Sequence, residues 1–397
     1  MFEIRIKRIR IRKTIRKIKK SDLIFAFVMI SFLQPPVFSY FPLFDNAFLV
    51  MKIISSLYAL YYMFFKCKSF SWMQGLMTVF WLTIVLSTFL NGGDILQAIR
   101  TIAINLISIL FLDSVLRVES KKIIRVLRVL CVAFTIINLL LLFVFHDGFD
   151  RFIPGYSITD DTRINFLGRD NSLIYFFIFA LVIEFLASES KVATYFFVAV
   201  ILFTMIFVWS GTGVIGCLLI CIFSLFIQGK KIEKIFKFIF LSIVYILVYL
   251  GVVIFRMQDI FSEIIVNDLH KDVTFTGRTA LWDLAMQYIA KKPWFGYGIR
   301  EKFLTMESGI SYSPHNFILQ LLLAGGIVSL VCFLIIYFYS GKKLSNQFKF
   351  SNFIAFAIFT YMIASLTEST MNSMFLYYIL VLGCNISIIE KEKRLNL

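Results

Sequence analysis

The sequence predicts an all-α, polytopic integral membrane protein with about 12 transmembrane helices and one long extracytoplasmic loop containing an amphipathic helix. Three observations predict it. Hydrophobic residues fill 59% of 397 positions and charged residues 16%, which is too apolar for a water-soluble surface. The apolar residues fall in runs long enough to cross a bilayer, with basic clusters between them. There are 47 Phe but only 6 Pro and 19 Gly, a balance that favours uninterrupted helices over the short alternating strands of a membrane barrel.

The runs occupy residues 22–40, 47–65, 71–90, 94–112, 123–145, 170–187, 192–209, 211–227, 235–254, 314–339, 350–366 and 370–388. The charge of +16 points to topology rather than to nucleic acid, because the basic residues are clustered. Ten of the 40 Lys and Arg precede residue 21, and with the N-terminus inside and alternating spans, 28 of the 40 fall on the cytoplasmic side. Both termini are therefore expected in the cytoplasm.

The resulting organisation is a basic cytoplasmic segment (1–21), helices 1–9 with an outer loop at 146–169 (22–254), a long outer loop (255–313), helices 10–12 (314–388) and a cytoplasmic tail (389–397). The N-terminal segment reads as an uncleaved anchor, since no small-residue cleavage site follows it. The six cysteines (67, 131, 217, 221, 332, 384) lie in or beside spans without metal-ligand spacing and read as apolar packing residues.

The long loop carries TGRTALWDLAMQYIAKKPWFGYG, in which Leu281, Leu284, Ala285, Tyr288 and Ile289 share one side of a helix that Pro293 ends. That helix is expected to lie at the outer membrane surface. All three histidines (His146, His270, His315) fall outside, as do Arg151, Arg163, Arg169, Arg256, Arg278 and Arg300. Arginine there runs against the topology rule, and its planar fork suits phosphate oxygens; pairing with Asp160, Asp161, Asp272 or Asp283 is the structural alternative.

His315 opens the tenth span, where an imidazole suits proton transfer; a polar cap at a span entrance is the other reading. Asn316 is placed to orient it, and Gly325 and Gly326 to allow close helix packing. Arg100 and Lys52 lie inside spans on the outer side, where snorkelling explains both but an intramembrane arginine still marks a candidate site. Glu184 reads as structural. Glu368, in the outer turn SLTEST, reads as a solvated residue or as a base or counter-charge. No P-loop, GxGxxG, HExxH or paired Cys/His set is present, so no cofactor or metal is expected.

Taken together, Thr276, Gly277, Arg278 and Trp282, then KPWFGYG, then His315 and Asn316 followed by Gly326, resemble the signature region of the O-antigen ligase and polymerase superfamily. Ser329 departs from the ligase pattern at its final position. TRINFLGRDNSL resembles the family's other outer-loop motif through Arg163, Gly168 and Asn171. The resemblance implies a metal-independent, inverting glycosyl transfer from an undecaprenyl-diphosphate-linked oligosaccharide at the outer face. His315, Arg278 and Arg163 would be catalytic; Arg169, Asn171, Trp282, Tyr297, Asn316 and Arg100 would bind substrate. A polymerase of capsular or O-antigen repeat units, working with flippase and chain-length regulator proteins, is the first expectation. A ligase with the same donor is the second, and a lipid-linked oligosaccharide flippase is a third from another class.

Overall fold

The computed structural model describes residues 20–153, 163–188, 190–227, 229–257, 278–300, 302–306, 309–346 and 348–394. Most of the basic N-terminal segment, Asp160, Asp161, His270, Asp272, Thr276 and Gly277 lie outside them. The described helices are α1 (Lys20–Phe32), α2 (Pro42–Tyr61), α3 (Trp72–Leu90), α4 (Ile95–Val144), α5 (Leu173–Ala187), α6 (Lys191–Val208) and α7 (Gly211–Ile222). They continue with α8 (Phe238–Tyr249), α9 (Arg278–Lys291), α10 (Phe317–Leu344), α11 (Ser351–Ala364), α12 (Met374–Cys384) and α13 (Ile386–Arg394). Two small antiparallel hairpins complete them: β1 (Ile164–Asn165) with β2 (Gly168–Arg169), and β3 (Leu304–Thr305) with β4 (Ser311–Tyr312).

The chain is an all-α membrane protein. Among the described residues six helices are long and apolar enough to cross a bilayer, or seven if α12 and α13, bent by 63°, form one span. The runs at 94–112 and 123–145 lie in α4, in which two helices meet at a kink where Glu119 leaves helical geometry (φ −138°, ψ 49°). Beyond that break Glu392 of α13 caps the second half, accepting from the Lys121 amide at 3.0 Å and the Ser120 hydroxyl at 2.7 Å. Other runs give short apolar helices: Ser21–Phe32, Gly211–Ile222, Phe238–Ile254 and Ser351–Ala364. Pro35 and Pro36 explain the first, since neither offers an amide to continue α1.

Helix starts follow local chemistry. Ser71 and Gln74 form a capping box on α3, and Asp94, Ser190, Ser210 and Asn316 cap α4, α6, α7 and α10. Helices α5, α11 and α12 are apolar all round and buried on nearly every side, forming the centre against which α4, α7 and α10 pack. Buried charge is paired: Asp113 accepts from Arg117 at 3.0 Å, Ser71 at 2.8 Å and Asn385 at 2.8 Å, tying α3, α4 and the α12–α13 bend. Glu184 accepts two bonds from Arg128, at 2.7 and 3.1 Å, and one from Thr194, a structural clamp of α4, α5 and α6.

The fold's principal irregularity is a break in α10. Gly326 takes φ 67°, ψ −164°, and the segment after α9 docks into the opening. Tyr297 and Gly298 amides donate to the carbonyls of Leu323 (2.7 Å) and Ala324 (3.0 Å), while Ile327 and Val328 amides donate to those of Pro293 (2.8 Å) and Trp294 (3.3 Å). Helix α3 closes the other side: Ser87 donates to the Phe295 and Ala324 carbonyls, and Asn91 donates to Gly296 at 3.0 Å. Gly326 thus packs against the loop, whereas Gly325 packs against Ser329 of its own helix and Ile84 of α3, the helix packing expected of it. A Cβ at Gly326 would strike the Trp294 carbonyl and hold an unfavourable φ. Gly326→Ala is expected to destabilise the protein by more than ~2 kcal/mol, seen as lower yield and a lower melting temperature in detergent.

Candidate functional site

The docked loop fixes the two elements that carry the sequence-derived candidates. Helix α9 runs back from the loop to Arg278 at its first position, and the first half of α10 runs back to its cap at Asn316, beside His315. The two helices pack together. Asn316 is 0% exposed; its Oδ1 accepts from the Leu319 amide at 3.0 Å and its Nδ2 donates to the Leu366 carbonyl at 2.9 Å. The Phe317 amide donates to Ser365 at 3.0 Å. These bonds bring the turn between α11 and α12 against the start of α10.

That turn delivers Glu368 between the two candidates. Its Oε1 accepts from Arg278 Nη2 at 2.9 Å, and its Oε2 lies 3.6 Å from His315 Nδ1. The second distance is too long for a hydrogen bond but keeps carboxylate and imidazole in one electrostatic unit. Glu368 and Arg278 side chains are 18% and 17% exposed and His315 36%, so the imidazole is the accessible member. His315 itself sits at φ 43°, which turns the backbone sharply into α10. The expectation of a solvated Glu368 turn gives way to that of a counter-charge, because three chain segments converge on it.

Arg163 sits in the hairpin formed by β1 and β2. Gly168 takes φ 118° there, and a Cβ would lie 2.6 Å from Ser172 Oγ. Arg163 Nη1 donates to the His146 carbonyl at 2.8 Å, Nη2 to the Val208 carbonyl at 3.0 Å, and Nε lies 3.4 Å from Asp170 Oδ2. Its guanidinium therefore clips the hairpin to the ends of α4 and α6. Arg169 is half-buried on β2. Asn171 Oδ1 accepts from Ser210 at 2.8 Å, and two residues on, Thr212 and Thr367 hydroxyls lie 3.2 Å apart. The hairpin and the Glu368 turn thus meet across the α6–α7 junction. A cavity of about 280 Å³ lies between them, lined by Gln34, Pro36, Leu167, Ser172, Tyr175 and Glu368 among others.

The remaining candidates lie apart from this cavity. Trp282 is 0% exposed, packed beneath Arg256, whose guanidinium sits 5.0 Å from the ring and bonds Asp283 at 2.6 Å. Tyr297 donates its hydroxyl to the Tyr288 carbonyl at 2.8 Å within the docked loop, and burial raises its phenol above the ordinary range. Trp282 and Asn316 are thus supports of the site, since neither presents a surface to a ligand. Arg100 lines a different cavity, with Lys52. Arg151 pairs with Asp147 at 3.0 Å, and His146 also contacts Asp147. Sequence reasoning passed over the α3 anchors Ser87, Thr88 and Asn91, which only the break in α10 makes necessary; Glu368 it weighed as a counter-charge without fixing the partner.

Residues 196–334 match the family model described as O-antigen ligase. The match contains Arg278, His315 and the docked loop; Arg163 and Glu368 lie outside it. No curated protein matches the chain. Asn316→Ala removes a cap and orphans a buried carbonyl, so a loss of about 2–4 kcal/mol is expected from thermal unfolding in detergent. Arg163→Lys is expected to restore little of the stability lost in Arg163→Ala, because one ammonium does not span three separated acceptors.

Proposed function

We propose that the chain, whose residues 196–334 match the family model described as O-antigen ligase, polymerises polysaccharide repeat units from a polyprenyl-diphosphate donor. The observation that carries the reading is the convergence of Arg278 and His315, from two other chain segments, on Glu368, which lines the cavity. His315 takes the proton of an acceptor hydroxyl as its oxygen attacks the anomeric carbon. Glu368, on the Nδ1 side, stabilises the imidazolium that forms. The bond from the anomeric carbon to the diphosphate oxygen breaks, and Arg278 stabilises the negative charge that collects on the leaving diphosphate. Attack from the face opposite the leaving group inverts the anomeric centre. No cofactor takes part.

Arg163 acts through the hairpin, holding Leu167 and Ser172 as one wall of the cavity. An apolar groove of about 680 Å³ adjoins that wall, lined by Phe38, Phe41, Phe134, Phe145, Phe149 and Phe166 among others. Its wholly apolar lining suits the isoprenoid tail of the donor, with the diphosphate in the polar cavity beside it. The site then faces the outside of the cytoplasmic membrane, in keeping with the placement of its basic residues.

The test is product formation in liposomes from a polyprenyl-diphosphate oligosaccharide with excess chelator present. Wild type is expected to yield a glycan ladder, and His315→Ala, Arg278→Ala and Glu368→Ala to fall by roughly a hundredfold or more at unchanged abundance. A single transfer seen only when a foreign acceptor is supplied would assign the chain to the ligases, the reading the matched family's description favours. Movement of the lipid between leaflets without any transfer would overturn both.

A further inference from the structure

A second polar cavity, of about 160 Å³, opens between α2 and the start of α4, away from Glu368. It is lined by Asp45, Leu49, Lys52, Arg100, Thr101, Ile104 and Asn105. Two cations therefore face one carboxylate, and the carboxylate is engaged: Asp45 Oδ1 accepts from Gln34 Nε2 at 3.3 Å, while Gln34 Oε1 accepts from Lys52. Arg100 has no hydrogen-bond or ion-pair partner among the described residues. Lys52 is the eleventh of the 20 residues of α2, far along a membrane-crossing helix, and Arg100 the sixth of α4.

Keeping two cations together in such a place is costly unless an anion joins them, and the one acid in the lining, Asp45, is already engaged with Gln34. The cavity has the volume of a small polar group, and Asn105 and Thr101 add neutral hydrogen-bonding groups on the α4 side. A carboxylate ligand would duplicate Asp45. A phosphate has more oxygens and matches an arginine fork together with an ammonium. We propose that Lys52 and Arg100 form a second anion site, which holds the phosphate of a lipid at the outer membrane interface. Gln34 lines the Glu368 cavity as well, so the bound phosphate lies one side chain from the proposed catalytic centre.

The inference does not depend on the transfer chemistry, because binding is read without turnover. Native mass spectrometry of the detergent-purified chain would be titrated with phosphatidylglycerol, undecaprenyl phosphate, phosphatidylcholine and inorganic pyrophosphate. Anionic lipid is expected to bind wild type and to weaken by about tenfold in Arg100→Gln and in Lys52→Gln, the loss of one charge-assisted contact each. Arg100→Lys should recover part of it, and Asp45→Asn, which removes the competing charge, should bind more tightly than wild type. The preferred probe identifies the source: phosphatidylglycerol for a bilayer headgroup, undecaprenyl phosphate for a lipid-linked substrate, pyrophosphate for a soluble ion. Equal affinity of wild type and both glutamine variants for all the probes, with melting temperatures unchanged, would overturn the site. So would tighter binding of phosphatidylcholine than of either anionic lipid.

Discussion

A broken helix in apolar surroundings has to find partners for its freed amides and carbonyls, since each one left unpaired in hydrocarbon costs several kcal/mol. The break at Gly326 sets that constraint, and much of the structure near the site answers it. The loop after α9 supplies partners on one side and the hydroxyl and amide side chains of α3 supply them on the other. Because the loop is held, the end of α9 is held, and with it the line along which Arg278 is presented. The same break leaves the first half of α10 as a short segment aimed at the turn that carries Glu368.

Glu368 shows how a helical membrane protein assembles a polar site without a polar core. Arg278, His315 and Glu368 come from the beginnings or ends of helices, where backbone groups already require polar company. Asn316 joins two of these ends by spending both of its polar groups inside the fold. Arg163 does the same for the ends of α4 and α6. Among these arginines Arg163 and Arg256 clip the scaffold and Arg151 pairs with Asp147 at the surface, while Arg278 has a carboxylate partner that also faces His315. The buried pairs Asp113–Arg117 and Glu184–Arg128 play the scaffold role elsewhere in the bundle.

Of the candidate site, the sequence made Arg278 and His315 legible because each sits in a compact motif whose residue types suit phosphate contact and proton transfer. The helix 278–291 was legible from its apolar spacing and from Pro293. Gly326 was legible as a special position, but its purpose was not: a glycine in an apolar run reads as close helix packing, and nothing local reveals a second chain segment inserted there. Trp282 and Asn316 read as ligand contacts because conspicuous residues in a motif look functional; their burial is a property of neighbours distant in sequence. Glu368 was underrated for the converse reason, being an acid in a short turn with nothing beside it in sequence to pair with.

The sequence by itself determined that this is a helical membrane protein, because composition and apolar run length are properties of the chain that any fold must accommodate. The alternation of charge clusters with the spans set the expectation that the unusual cations share one face. Only the tertiary structure decided how the runs on either side of Glu119 meet, at a kink where Tyr62, Lys122 and a cap from α13 gather. It alone decided which arginine meets which carboxylate, and that Lys52 and Arg100 share a cavity, because such meetings depend on three-dimensional distance between helix ends far apart in the chain.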